Sequence, residues 1–180
     1  MAHSVLVVPV AEMERFVRAR HEHYDPAYVS ADPAFAHAHV TALGPFAPLE
    51  GLTSSVVEQV GRVLGSVRAF AFRLERVATF PNGIIHLVPE PAVPFCQLTA
   101  ALWRAFPAYP PYAGEFGDVA PHLTLDAVGD GVDERSVRSA VERLVPLDCV
   151  ASEVRLSWYE PGACRTLARW PLGVSPFSRG

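Results

Sequence analysis

The sequence predicts an α+β fold. Two antiparallel sheets flank a central cleft, helices pack on the outside, and a pseudo-twofold duplication relates the two lobes. Three observations predict it. Strand-like and helix-like stretches interleave along the 180 residues, yet several strands meet through tight turns, which favours antiparallel pairing over a doubly wound sheet. The order of elements doubles at an offset of about 80 residues. Half of the residues are hydrophobic and 19% are charged, enough for a real core, so residues 1–180 read as one domain of two interleaved lobes.

In chain order, Ser4 to Val10 is β-branched and nearly all apolar, and reads as a buried strand interrupted by Pro9. Glu12 to His23 carries Met13, Phe16 and Val17 at helical spacing within a charged stretch, the pattern of an amphipathic helix. Residues 24–35, with Asp25-Pro26 and Asp32-Pro33, read as a loop. A strand through His39-Val40-Thr41 follows, and Gly44-Pro45 ends it. Thr53-Ser54-Ser55 can cap a helix whose apolar side is Val56, Val57, Val60, Val63 and Leu64. From Ala69 to Phe80, Phe70, Phe72 and Leu74 alternate with Arg73 and Glu75, the mark of a half-buried strand. Pro81-Asn82-Gly83 turns the chain into a strand from Ile84 to Val88, completing a hairpin.

That strand opens the second half. Pro94 starts a helix through Phe106 with Leu98, Ala101, Leu102 and Ala105 inward. Residues 109–117, rich in proline, glycine and tyrosine, read as a loop before the strand through His122-Leu123-Thr124. Asp130-Gly131 turns the chain, and Asp133 precedes a helix to Val145 with Val137, Val141 and Leu144 on one side. Val150 to Tyr159 reads as one strand, Pro161-Gly162 as a turn, Thr166 to Leu172 as the last strand, and 175–180 as a loose tail. Each half thus runs strand, helix, His-x-Thr strand, helix, long strand. A pseudo-twofold axis would set the two His-x-Thr strands facing each other across a cleft, a common location for small-ligand pockets.

The motifs carry the chemistry. Side chains at i and i+2 of a strand share a face, so each motif aims one imidazole and one hydroxyl at the same place. One copy says little, because strand histidines are commonly structural; two copies at equivalent points of a repeat say much more. Facing histidines suit paired proton transfer: one takes a proton from water or a hydroxyl, the other gives one to a departing oxygen. The threonine hydroxyls can donate to non-bridging phosphate oxygens, orienting the group for in-line attack and holding developing charge. A strained cyclic phosphodiester with a ribose leaving group suits such a site and needs no metal. A zinc site from His37, His39 and His122 lacks a carboxylate or thiolate to complete a tetrahedral set. No local motif supports a cysteine or serine nucleophile, and no cofactor is expected.

Composition bounds the partners. The net charge is −4 and the pI about 5.9, without the basic face that long nucleic acid requires, so a small anion is the expected ligand. Cys96, Cys149 and Cys164 are too far apart for a zinc knuckle, and their odd number argues against a disulfide framework. There is no basic N-terminal region with a long apolar run, and no stretch nears 18 apolar residues. The expectation is a cytoplasmic, soluble monomer that engages no membrane.

On these residues the chain resembles the two-histidine phosphoesterase superfamily, also called the 2′-5′ RNA ligase-like family, and is especially similar to its small bacterial members. The resemblance spans nearly the whole chain: His3 to Pro9, the first motif with Gly44-Pro45-Phe46, Phe80-Pro81-Asn82-Gly83, Tyr109 to Gly114, Pro121-His122-Leu123-Thr124 and Trp170-Pro171-Leu172-Gly173. It implies a bilobal α+β fold and metal-independent opening of 2′,3′-cyclic or related phosphates, or 2′-5′ ligation and its reverse. By the resemblance His39 and His122 are the acid/base pair, and Thr41 and Thr124 bind phosphate. The chain departs at Leu43-Gly44-Pro45-Phe46, where close relatives often carry Leu-Tyr-Pro-Phe; the missing tyrosine implies a more open pocket or one stacking ring fewer.

Further candidates surround the pairs. His86 stands where relatives tend to have an aromatic residue and is a substrate-binding candidate. Tyr112, on the loop before the second motif, is placed to stack on a base. Phe46 and Phe80 are either cleft or core residues. Arg155 and Arg165, in the last two strands, are candidates to meet a phosphate. His37 has no assigned role, and Asp126 either steadies the site or turns the chain. The expected function is a metal-free cyclic phosphodiesterase acting on a small nucleotide or an RNA end, with a pH optimum near neutrality. The alternatives are a nucleotide- or RNA-end-binding module with little turnover, and the same scaffold recruited to a pathway-specific reaction on another small molecule.

Overall fold

The structure, a computed structural model, describes residues 2–114 and 119–173. The expectations at 115–117 and for the tail at 175–180 lie outside the described residues. The chain runs β1 (His3–Pro9), α1 (Glu14–Tyr24), β2 (His39–Leu43), α2 (Ser54–Gly65), β3 (Phe70–Thr79), β4 (Ile84–Glu90), α3 (Val93–Ala105), β5 (Leu123–Ala127), α4 (Glu134–Val141), β6 (Leu147–Ala151), β7 (Glu153–Tyr159) and β8 (Arg165–Pro171). Local chemistry accounts for the boundaries. Thr53 caps α2 by accepting from the Val56 N–H, and Asp133 caps α4 in a capping box with Ser136. Gly83 turns the β3–β4 hairpin at φ +89°, a conformation that disfavours any residue with a Cβ.

The strands form one antiparallel sheet of eight, not two sheets, in the order β6-β3-β4-β5-β2-β1-β7-β8 among the described residues. The join is at the centre, where β2 and β5 pair through Val40 and Leu123. The two His-x-Thr strands are therefore hydrogen-bonded neighbours rather than walls facing across a gap. Each half's opening strand flanks its own His-x-Thr strand, while its long strand crosses to the other side: β3 beside β4, β7 beside β1. The helices cross over as well, α1 packing on β5 and α3 on β2.

The expected single strand from Val150 to Tyr159 is two strands. β6 pairs with β3 at one edge of the sheet, and β7 pairs with β1 and β8 near the other. Only Ser152 separates them, and one residue bridges about 7 Å at most. The sheet must therefore curl until its two flanks meet at that end. The backbone confirms it: the Leu172 N–H donates to the Ser152 carbonyl at 2.8 Å, and the Ala69 N–H to Gly173 at 3.1 Å. Helix α4 also ends four residues before the expected Val145. Val145 precedes Pro146, and a residue before proline is pushed out of helical conformation. Leu144 is left 37% exposed.

The core lies on the face of β2 and β5 opposite the motif side chains. Val40, Ala42, Leu123 and Leu125 are all buried there, joined by Leu98 and Leu102 of α3. Alternation then sends His39, Thr41, His122 and Thr124 to the other face, where all four are partly exposed. Asp126 is buried in β5 and ion-paired with Arg20 of α1, tying the first helix to the second half of the chain. Cys96, Cys149 and Cys164 are unpaired thiols. Among the described residues no helix is long and apolar enough to cross a membrane.

Candidate active site

The register at the centre of the sheet assembles the site. Val40 pairs with Leu123 in antiparallel sense. Continued by one residue each way, this register sets Thr41 opposite His122 and His39 opposite Thr124. Directly opposite side chains on one face have β-carbons about 5 Å apart, and diagonal ones about 7–8 Å. The four motif side chains thus form a rectangle, with imidazoles on one diagonal and hydroxyls on the other. Imidazoles on β-carbons that far apart can both reach a single phosphoryl group.

Both histidines are oriented by the main chain. His39 Nδ1 lies 3.0 Å from the carbonyl oxygens of Ala36 and of His37, and His122 Nδ1 lies 2.8 Å from that of Ala120. A carbonyl only accepts, so each ring carries its hydrogen on Nδ1 and leaves Nε2 free to take or give a proton. Their surroundings differ. Burial pushes the His39 pKa down to about 4, the nearby His21 adding to the effect against the two carbonyls, which raise it. Burial also lowers the His122 pKa, opposed by the Ala120 carbonyl. Without a bound anion both rings favour the neutral form.

His122 stands on the wall of a cavity of about 420 Å³, lined also by Phe80, Pro81, Asn82, Ile84, Tyr112 and Ala120. Phe80 meets His122 edge-on at 4.9 Å, and Tyr112 lies nearly parallel to it at 6.3 Å. Tyr112 and Ala113 both have positive φ, 51° and 54°, costly for residues with a Cβ. The Tyr112 N–H donates to the Gly44 carbonyl at 2.7 Å, which pins this turn to the end of β2. A separate narrow crevice is lined by Thr41, Thr99 and Tyr112, the last of which lines the cavity as well.

His86 joins this end of the site. It pairs with Thr124 across β4 and β5, stacks on Phe80 at 3.8 Å, and meets His122 edge-on at 5.4 Å. Burial lowers its pKa, and the neighbouring His122 adds to the effect. Other candidates lie elsewhere. Phe46 is buried, edge-on to Phe106 and Tyr109, and belongs to the core rather than the cavity. The Arg155 guanidinium is taken by the Glu153 carboxylate and the Ala34 carbonyl, and Arg165 donates to the Ala163 carbonyl. His37 has both ring nitrogens engaged, by Glu14 and by the Ser30 N–H, which removes it from the zinc set considered above. Among the described residues no group of three or more histidine, cysteine or acidic side chains has the geometry to hold a metal.

Gly44 answers the departure from the family pattern. A Cβ there would come within 2.7 Å of Val5 Cγ1, so the position points into β1 rather than into the cavity. The absent tyrosine follows from close packing of Gly44 on Val5, and Tyr112, bound to the Gly44 carbonyl, supplies an aromatic ring nearby. Sequence reasoning missed Asn82, Ile84 and Ala120 as cavity residues, and Glu14 beside the first motif. No spacing signal marks any of them, because the contacts are made only through the tertiary fold.

Solved structures share the fold over nearly the whole chain. TT0787 of Thermus thermophilus superposes with a TM-score of 0.62 at 20% identity, covering 96% of this chain and 98% of that one. E. coli LigT in complex with 3′-AMP superposes at 0.54 with 18% identity over 96% and 98% of the two chains, and LigT in complex with phosphate at 0.51 with 18% identity over 95% and 97%. No curated protein matches the sequence. Residues 8–163 match the 2′-5′ RNA ligase superfamily, well over half of the chain, and the protein belongs to that superfamily.

Proposed function

We propose that the protein is a phosphodiesterase that opens 2′,3′-cyclic or related cyclic phosphates on a small nucleotide or an RNA end. The observation that carries this reading is the Val40–Leu123 pairing of β2 with β5, whose register, continued by one residue each way, would set His39, Thr41, His122 and Thr124 on one face. In the reaction, one imidazole takes a proton through Nε2 from a water, whose oxygen forms a new bond to phosphorus. The bond from phosphorus to one ribose oxygen breaks, and the second imidazole, protonated at Nε2, gives that oxygen its proton. The threonine hydroxyls hold the two non-bridging oxygens while charge develops on them. Acid and base come from the chain itself, and a ribose alkoxide protonated as it leaves needs no metal.

The cavity beside His122 suits the rest of the substrate. Its volume of about 420 Å³ and its walls of Phe80 and Tyr112 fit a nucleoside. That a structural neighbour was captured with phosphate and with 3′-AMP supports the same substrate class. The test is hydrolysis of 2′,3′-cyclic nucleotides in EDTA by the wild type and by His39→Ala and His122→Ala. Turnover by the wild type and its collapse in both variants is the expected result. Full activity in either variant, or nucleotide binding by the wild type without product, rejects the reading.

A further inference from the structure

We propose that Glu14, acting through His37, is a positioning residue for His39; the inference rests on His39 taking part in catalysis. His39 is held by its Nδ1–H, and its two acceptors are carbonyls of the segment just before β2. Glu14 braces that segment from the first turn of α1. One carboxylate oxygen accepts from the Ala38 N–H at 2.9 Å, and the other accepts from His37 Nδ1. The buried His37 ring then accepts the Ser30 N–H on Nε2 at 3.1 Å. One carboxylate therefore spans the residues whose backbone aims the catalytic ring.

The brace is ionised. Burial alone would raise the Glu14 pKa, but hydrogen bonds from His37 and the Ala38 N–H outweigh it and hold the pKa below the usual carboxylate value. Its negative charge favours the imidazolium form of His39, opposing burial and the repulsion from His21. The other ionisable groups around this cluster are Tyr24 and Asp25 at the end of α1, Tyr159 of β7 at 6.2 Å from the His39 ring, and the Arg155–Glu153 pair holding Ala34. At the other motif the His122 ring leans on the Ala120 carbonyl, a neutral acceptor. The first imidazole thus has a carboxylate behind its backbone acceptors.

The test is Glu14→Gln, which keeps the shape, removes the charge and leaves one amide oxygen to accept where two carboxylate oxygens did. We expect kcat to fall about 10- to 100-fold with KM within about twofold, since misplacing a reacting group costs rate rather than binding. NMR titration of the histidines should show the His39 pKa moving down while that of His122 stays. A natively folded Glu14→Gln protein with unchanged His39 titration and unchanged kcat overturns the proposal, as does an equal movement of both histidines. A second pair is independent of Glu14 itself. His37→Asn keeps an N–H donor near the Nδ1 position, so it should retain more kcat than His37→Leu; equal values overturn the proposal. Full activity of His39→Ala would overturn the functional reading instead, while the titration still decides whether Glu14 governs His39.

Discussion

The two ends of the site carry the same motif in opposite surroundings. The His39 end is polar and deeply set, with Glu14, His37 and His21 behind the ring and Tyr159 beside it. The His122 end is aromatic and open, with Phe80 and Tyr112 around a cavity and the buried His86 stacked on Phe80. The difference teaches that a motif fixes which groups meet, while the packing behind each group fixes what it does. Under the proposed function the His39 end would serve the proton chemistry, and the His122 end both the chemistry and the substrate. The strongest test of the comparison is kinetic. His39→Ala and His122→Ala should each lower kcat about 10³-fold or more, and the double variant should be little worse than either, because groups that act as a unit are not additive. Only His122→Ala should also raise KM, since only that ring lines the cavity. A matching rise in KM for His39→Ala would erase the distinction.

The threonines sharpen it next. Continued from Val40 and Leu123, the register sets Thr41 opposite His122, and Thr124 opposite His39. Thr41→Val and Thr124→Val keep the shape of the strand and remove one donor each. Each should lower kcat by about 10²-fold, the usual cost of one donor to a developing oxyanion. Loss of substrate affinity with kcat intact would mean that the hydroxyls bind the ground state only.

The pH dependence should differ between the ends without any substrate. The folded-state pKa of His39, about 4, lies below the unfolded value near 6.5. As pH falls between these values the unfolded chain takes up a proton that the folded one refuses, so stability is lost across that window. The shift corresponds to about 3 kcal/mol at its limit. Chemical denaturation at pH 7 and at pH 4.5 should therefore show His39→Asn losing less stability than the wild type, with a smaller gain for His122→Asn. Activity moves in the same direction. One ring must be charged and the other neutral, and burial lowers the pKa of both, so kcat/KM should peak on the acid side of neutrality rather than at it. A bound phosphate favours both imidazolium forms, so the optimum of kcat should lie at higher pH than that of kcat/KM. A kcat/KM optimum above pH 7 would contradict the burial argument.

Much of this was legible in the sequence because it rests on local rules. Alternation showed β3, Pro81-Asn82-Gly83 announced the hairpin, and Thr53 marked its helix. Above all, i to i+2 spacing put each imidazole beside its hydroxyl. What was hidden depends on curvature and on distant contacts. Residues 147–159 hold no glycine that announces the break at Ser152; the strand divides because the sheet curls and its two halves find different partners. The merging of two sheets into one turns on a single pairing, Val40 with Leu123, between strands far apart in the chain. Arg155 looked like a phosphate ligand because sequence cannot show that Glu153, two residues away, has already claimed it. Glu14 looked like an ordinary acidic residue early in a helix, yet it reaches 23 residues onward to His37.

The smallest effect we expect falls at the aromatic end. The Tyr112 ring lies nearly parallel to that of His122 across 6.3 Å, on a turn whose backbone is held in the left-handed region. Holding a tyrosine there costs about 1 kcal/mol, and strain of that kind is commonly kept for a functional reason. If that reason is a nucleobase, Tyr112→Ala should raise KM for a 2′,3′-cyclic nucleotide about tenfold, the lower range for losing one stacking partner. Competitive inhibition by inorganic phosphate, which has no base, should stay within about twofold. The contrast between the two ligands is the measurement. Equal weakening of both would mean that the ring serves the position of His122 rather than the substrate. The two ends of the site would then differ in burial alone and not in task.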